Sequence, residues 1–325
     1  MSKKKIAVIG LRNHALRHIQ MLSSIPGIEL KVVYYPFDVE SSEFPVTMDF
    51  ESVRSCDGVV ISSPTPTHME YLELLNDYNG YILLEKPAVS TLEQITIIKN
   101  WSNEKKSRIH VNFNLPFSSI YKVFNSLIQN KKLGKLIAVD IATSHGLAFK
   151  PHYRESWRHK AGKSGGVLET VGIHYINLLL NVFGSYEDVQ SHFQWVAHRD
   201  GTPDTATLIF KMNDGLRATL RHSYAAPALY KWFVLGSSAY WEYDGFKARL
   251  YGPRDTFDSD GRFTSPPLVE EHNLPRTVDW KESLSASVNK FCNVVKDNGQ
   301  FDITLFDRAV DSSLPILKSL NQIQS

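Results

Sequence analysis

The stretch IAVIGLRNHALRH, residues 6–18, is an apolar run that breaks at Gly10 and passes into a helical pattern. A strand, a glycine turn and a helix open a dinucleotide-binding fold, in which three small residues act in order. The first makes the tight turn, the second lets the backbone approach a pyrophosphate, and the third permits close packing of helix on strand. Here those positions read Gly10, Arg12 and Ala15. Ala15 is a mild change, because a methyl group is the smallest addition. Arg12, with Asn13 beside it, removes the close backbone approach but supplies a guanidinium that can bind phosphate in a bidentate manner at a helix N-terminus. The loop alone leaves two readings open: Arg12 replaces the lost contact, or the site has ceased to serve a dehydrogenase.

A second check is the acid that ends the next strand, about 20 residues on, and bonds the adenosine ribose. In KVVYYPFD, Tyr35 stands there and Asp38 lies beyond Pro36. Tyr35 either packs or stacks on adenine, and NAD and NADP both remain open.

Working outward, strands are expected at 5–9, 29–35, 57–62 and 80–84, with helices at 14–24, 67–78 and 91–105. This rhythm is that of βαβ units. GVVIS and YILLE are continuous apolar runs, as parallel strands buried on both faces must be. From Ile137 the pattern alternates apolar with polar residues, as in LIAVDIAT, TATLIFKM and LRATLRHSY, which predicts antiparallel strands with one wet face. A buried helix is expected at 166–183, and the segment from Trp280 to Ser325 is mostly helical. The fold class is therefore α/β: an N-terminal doubly wound parallel sheet (1–118) and a C-terminal α/β domain with an open, mainly antiparallel sheet (119–325).

A chain of 325 residues suits two domains. With 42% hydrophobic residues and a net charge of +2, it has an ordinary globular composition and points to neither disorder nor a nucleic-acid partner. Lys3 to Lys5 precede too short an apolar run for a signal peptide, and no stretch reads as a membrane span, so a cytoplasmic protein is expected. Cys56 and Cys292 are isolated and the histidines scattered, which gives no basis for a disulfide framework or a metal site.

Four further stretches, VVISSPTPTHMEYLELL from 59, YILLEKPAVSTLEQ from 81, VNFN from 111 and ESWRHKAGKSGGVLETVGIHYINLL from 155, resemble in order and spacing the Gfo/Idh/MocA family of NAD(P)-dependent oxidoreductases. The resemblance implies a Rossmann domain binding NAD or NADP, then a domain whose open sheet carries a homodimer or homotetramer interface. The implied substrates are sugars, inositols and nucleotide sugars. Lys86 of Glu85-Lys86-Pro87 would stand near the reacting hydroxyl and the nicotinamide, before a proline bond that is often cis. Ser63, Pro64, Thr65 and His68, after a parallel strand, and Asn114, at the domain crossover, would flank the cofactor with Gly10, Arg12, Asn13, Ala15 and Tyr35. His68 also reads as a helix cap and Asn114 as a turn residue.

Thr170 and His174 are four residues apart and share a helix face. By resemblance they occupy the family's Asp and His positions, with His174 as the acid/base. Taken alone, a histidine on an apolar helix is more often a core residue. Thr170 offers only a neutral hydroxyl where an acid would orient the imidazole, and Asn177 replaces a further acid. Nearby, Lys150, His152, Arg154, Arg158, His159, Lys160 and Lys163 are either a solvated loop or a site for a substrate anion, with Trp157-Arg158 matching a family WR. Fewer acids and more bases favour an anionic sugar or nucleotide sugar, held by Lys86, Arg154, Trp157, Arg158, Thr170 and His174. The alternatives are a non-catalytic sugar-nucleotide-binding member of the same fold and a redox-assisted epimerase or lyase that retains its cofactor.

Overall fold

The opening apolar run forms β1 (Lys4–Ile9), whose residues Ile6 to Ile9 are buried in the computed structural model, which describes residues 2–39 and 41–324. Gly10 follows with φ +117°, and a Cβ there would lie 2.8 Å from the Ser62 carbonyl oxygen, so the turn demands glycine. Helix α1 (His14–Ser24) then buries Ala15, His18, Ile19 and Leu22, the stripe expected of a one-faced helix. The chain continues through β2 (Ile28–Tyr34), β3 (Val46–Thr47), α2 (Phe50–Arg54), β4 (Gly58–Ile61), α3 (His68–Leu74), β5 (Tyr81–Leu84), α4 (Leu92–Lys99), α5 (Asn103–Lys106) and β6 (Ile109–Val111). The strands form one parallel sheet in the order β3-β2-β1-β4-β5-β6. That order reverses at β1 and β4, and ligands of such sheets lie beyond the strand C-termini at this switch point.

A single helix was expected over 91–105, but two form. Ser102 accepts a hydrogen bond from the Lys105 amide and starts the second. The short β3 and α2 had no counterpart in the sequence reading. Asp49 caps α2 by accepting from the amides of Glu51 and Ser52.

The second unit, Leu115–Ser283, contains α6 (Ser119–Gln129), β7 (Leu136–Ser144), α7 (Ile173–Phe183), β8 (Tyr186–Gln194), β9 (Thr205–Met212), β10 (Arg217–Ser223), β11 (Leu229–Gly236), β12 (Tyr240–Tyr243), β13 (Lys247–Tyr251) and β14 (Leu268–Asn273). Its eight-stranded sheet runs β14-β13-β12-β11-β7-β10-β9-β8, antiparallel throughout except for β7 beside β10. Alternation holds: in β9 every second residue is buried, ending with Met212. Phe124 of α6 packs edge-on to Trp232 at 5.8 Å and tilted to Trp241 at 5.7 Å, an aromatic core under the sheet.

Helices α8 (Arg276–Asp297), α9 (Ile303–Asp311) and α10 (Leu314–Gln324) end the chain. The sequence reading placed 119–325 in the second domain, whereas Leu284–Ser325 groups with the first unit. Val288, Phe291, Cys292 and Val295 of α8 enter the same core as Ile6, Val8, Ile19 and Val33. An apolar stripe announces that a helix packs, not against which sheet. Among the described residues no helix is long and apolar enough to cross a membrane.

Candidate active site

In the first unit the residues after β5 form the Lys86–Pro87 turn, whose peptide bond is cis. The buried Glu85 carboxylate accepts from His18 Nε2 at 2.7 Å, Asn112 Nδ2 at 2.7 Å and, through its other oxygen, the Lys86 amide at 3.2 Å. Ser287 of α8 donates to Asn112 Oδ1 at 2.7 Å, and His110 Nε2 lies 2.9 Å from the Ser287 hydroxyl. Because that hydroxyl spends its proton on Asn112, His110 is the donor to it. The result is a directed chain, His110 to Ser287 to Asn112 to Glu85, met by His18 from α1. Burial pushes His110 down to about 4 and keeps it neutral. Burial alone would raise the Glu85 carboxyl, but the hydrogen bonds from His18 and Asn112 and the charges of His18 and His14 hold it far below the usual carboxylate range. An ionised, triply bonded Glu85 fixes the backbone that carries the half-buried Lys86.

His68 does not cap its helix. Its buried ring bridges two loops, with Nδ1 2.9 Å from the Pro87 carbonyl and Nε2 3.0 Å from that of Ser63. Burial lowers its pKa, opposed by the carbonyls of Ser63 and Pro87, which favour an N–H on the ring nitrogen facing each. In the β4 loop, Thr67 donates to the Ser63 hydroxyl at 2.8 Å, and Pro64 and Thr65 open the short 3-10 turn before α3. Asn114, buried, ends the first unit after β6. Asn13 sits at φ 52° before α1 and offers no side-chain cap, while the Ala15 amide bonds the Arg12 carbonyl at 3.0 Å. Arg12 Cζ stands 5.8 Å from the centroid of the Tyr35 ring. The Gly10 turn, which a Cβ would fill, and the open N-terminus of α1 fit a phosphate-bearing dinucleotide.

In the second unit the expected helix over 166–183 begins as a π turn, Leu168–Gly172, before α7. Such widened turns concentrate at functional sites. Thr170 and His174 fall on this stretch. The Thr170 hydroxyl bonds the Gly166 carbonyl and the Tyr224 hydroxyl, and buried His174 meets Trp280 edge-on at 5.3 Å. Glu169, whose Oε2 accepts from the Gly166 amide at 2.9 Å, has a carboxyl pushed up to about 6 by burial. Gly165 is required by crowding: a Cβ would lie 2.4 Å from the Arg158 Cα.

The basic cluster divides. Arg154 pairs with Asp200 at 2.6 Å in an exposed bridge, and His159 lies 3.6 Å from the same carboxylate. Arg158 lies over the Trp157 ring at 4.6 Å, and its charge partly offsets the rise that burial imposes on the Tyr224 hydroxyl. His145 tilts against Tyr224 at 5.0 Å; burial, then the charges of Arg276, Arg158 and Lys150, lowers its pKa. Arg276 covers the Tyr230 ring at 4.1 Å, and Tyr230 bonds the hydroxyl of Tyr175, the neighbour of His174. His145 thus stands against Tyr224, the hydroxyl partner of Thr170, and Arg276 covers Tyr230, the hydroxyl partner of Tyr175. Sequence reasoning missed His18, Ser287, His145, Tyr224, Arg276 and Trp280. His18 was legible, since it follows Ala15 by three on the buried stripe of α1, but the others lie on strands and helices distant in sequence.

Residues 4–113 match the description "Oxidoreductase family, NAD-binding Rossmann fold", and residues 121–242 match "GFO/IDH/MocA C-terminal domain". Glucose-6-phosphate 3-dehydrogenase of Bacillus subtilis (strain 168) is 29% identical over 191 residues, 56% of this chain and 54% of that protein, so the chain spans about half the length of this curated relative. The fold is similar to that of a putative NADPH-dependent oxidoreductase from Desulfitobacterium hafniense DCB-2 (TM-score 0.80, 17% identity, 99% of this chain and 96% of that one). It is also similar to that of a myo-inositol dehydrogenase from Corynebacterium glutamicum ATCC 13032 (TM-score 0.75, 17% identity, 98% and 96%). With the parallel sheet matched by the family's cofactor-binding half and the open sheet by its C-terminal half, this chain belongs to the Gfo/Idh/MocA oxidoreductase family.

Proposed function

We propose that the protein is a cytoplasmic NAD(P)-dependent dehydrogenase or reductase that interconverts CH–OH and C=O at one carbon of a sugar derivative, with an anionic sugar or nucleotide sugar as substrate. The observation that carries the reading is a basic group beside each tyrosine that braces this helix: His145 against Tyr224, whose hydroxyl bonds Thr170, with the charge of Arg158 acting on both, and Arg276 over Tyr230, whose hydroxyl bonds Tyr175. Phosphates and carboxylates are the groups a guanidinium fork holds best. The sugar-phosphate dehydrogenase among its relatives supports the same class.

When bound, the nicotinamide supplies the hydride acceptor. His174 takes the hydroxyl proton, its ring oriented by Trp280 on one side. The Lys86 ammonium stabilises the developing alkoxide, and Glu85 holds its backbone. Thr170, tied to Tyr224, positions the substrate or the imidazole through a neutral hydroxyl. Arg158, with Trp157 beneath it, takes the substrate anion, whereas Arg154 is already engaged by Asp200.

A homodimer or homotetramer formed through the open sheet completes the reading. Phe233, Tyr240 and Tyr251 make a half-exposed ladder across β11, β12 and β13, with ring separations of 5.7 and 4.7 Å, opposite the face that buries Trp232 and Trp241.

The test is a spectrophotometric assay of glucose, glucose 6-phosphate and a nucleotide sugar with each oxidised cofactor. Reduced nicotinamide forming with an anionic sugar is expected. Turnover of glucose alone would refute the substrate class, and no reduced nicotinamide from any of the three sugars would refute the sugar dehydrogenase.

A further inference from the structure

We infer that Arg12 makes this chain selective for NADP(H): its guanidinium, poised over Tyr35 at the end of β2, takes the 2′-phosphate of the adenosine ribose. The inference rests on the dinucleotide-binding reading of the first unit and adds which dinucleotide it takes.

In a parallel sheet of this order the adenosine ribose lies at the C-terminal end of β2. A carboxylate there bonds the 2′-hydroxyl of NAD and repels a 2′-phosphate, whereas an arginine nearby accommodates that phosphate. This chain has the neutral Tyr35 at that position, its amide bonded to the Thr47 carbonyl at 3.1 Å. Tyr35 is itself braced edge-on by Phe37 at 5.2 Å. Arg12 reaches across from the loop before α1 to within 5.8 Å of the Tyr35 centroid. A guanidinium over an aromatic ring keeps its in-plane N–H donors for a second partner. Among the described residues no carboxylate pairs with Arg12. The acid that follows β2, Asp38, lines a crevice with Val39, Ser42, Phe44 and Met48 whose walls include neither Arg12 nor Tyr35.

The direction in which Arg12 extends separates two roles that its position in the motif leaves open. A pyrophosphate clamp would serve NAD and NADP alike, because both carry the same pyrophosphate. A side chain directed to the β2 end meets a group that only NADP has. A monoester phosphate carries about −1.5 to −2 charges near neutral pH, so one arginine there discriminates strongly.

The experiment is equilibrium titration of the full-length protein with NADPH and with NADH, followed by nicotinamide fluorescence, for wild type, Arg12→Ala, Tyr35→Asp and Asp38→Ala. Wild type is expected to bind NADPH at least about tenfold more tightly than NADH. Arg12→Ala should erase that difference by weakening NADPH alone, Tyr35→Asp should reverse it, and Asp38→Ala should leave it unchanged. Equal affinities in wild type, or an equal loss of both cofactors in Arg12→Ala, would overturn the inference while leaving the dinucleotide site in place. Binding of neither cofactor by folded wild-type protein would instead overturn the dinucleotide reading itself, and the inference with it. Arg12 is exposed, so its replacement tests binding rather than folding, and a thermal melt of each variant checks this.

Discussion

His18 Nε2 lies 2.7 Å from Glu85 Oε1, and the His18 side chain is wholly buried. This bond joins the helix of the dinucleotide loop to the strand end that carries Lys86. It makes the Lys86–Pro87 turn depend on a residue in the sheet's helix layer.

Removing one partner of such a buried pair leaves the other uncompensated, which costs about 3–5 kcal/mol. His18→Ala should lower stability by that order in urea melts near neutral pH. The Glu85 carboxyl is held below its unfolded value, so its stabilisation is fully present above the unfolded pKa of about 4.3 and is lost as pH falls toward the folded value. The stability gap between wild type and Glu85→Gln should therefore narrow below about pH 4. A gap that stays constant across that range would contradict the assignment.

Glu169 has the opposite sign. Its folded pKa is raised to about 6 by burial, so the carboxyl favours the folded state while protonated and loses that contribution as pH rises through this value. Glu169→Gln should match wild type in thermal melts at about pH 4 and exceed it at about pH 7.5. Equal melting temperatures at both would show that the carboxyl is solvated.

His174→Ala should cut turnover by roughly 10²–10⁴-fold, the usual worth of a positioned acid/base. Cofactor affinity, read by nicotinamide fluorescence, should hold. A parallel loss of cofactor binding would show that His174 shapes the fold instead.

Arg158→Gln should raise KM for an anionic sugar by roughly 10- to 100-fold, as expected for a lost charge-assisted contact, and change kcat little. Arg154→Gln, whose guanidinium already faces Asp200 at 2.6 Å, should change KM far less. Similar effects from both would assign the whole loop to long-range attraction, which added salt would abolish.

The architecture was legible in the chain because periodicity reports burial directly. GVVI is buried at every residue in β4, and TATLIFKM alternates in β9. Gly10 was legible because its backbone conformation has few substitutes. The motif around Lys86 was legible as a string, but not its support. His110, Asn112 and Ser287 converge on Glu85 from β6, the residue after it and α8, the last of these 175 positions from Asn112. In the same way the seven basic residues from Lys150 to Lys163 looked equivalent in sequence, until Asp200 took Arg154 and Arg158 lay over the Trp157 ring.

By itself, then, the sequence determined the two sheets, the glycine turn and the positions of Lys86 and His174, since these follow from local spacing and local backbone demands. Only the tertiary structure decided that Leu284–Ser325 returns to the first unit, that Glu85 is charged and triply bonded, and that Arg12 extends to Tyr35. Each of those depends on which surfaces meet, and pairing between distant segments leaves no periodic trace in a single chain.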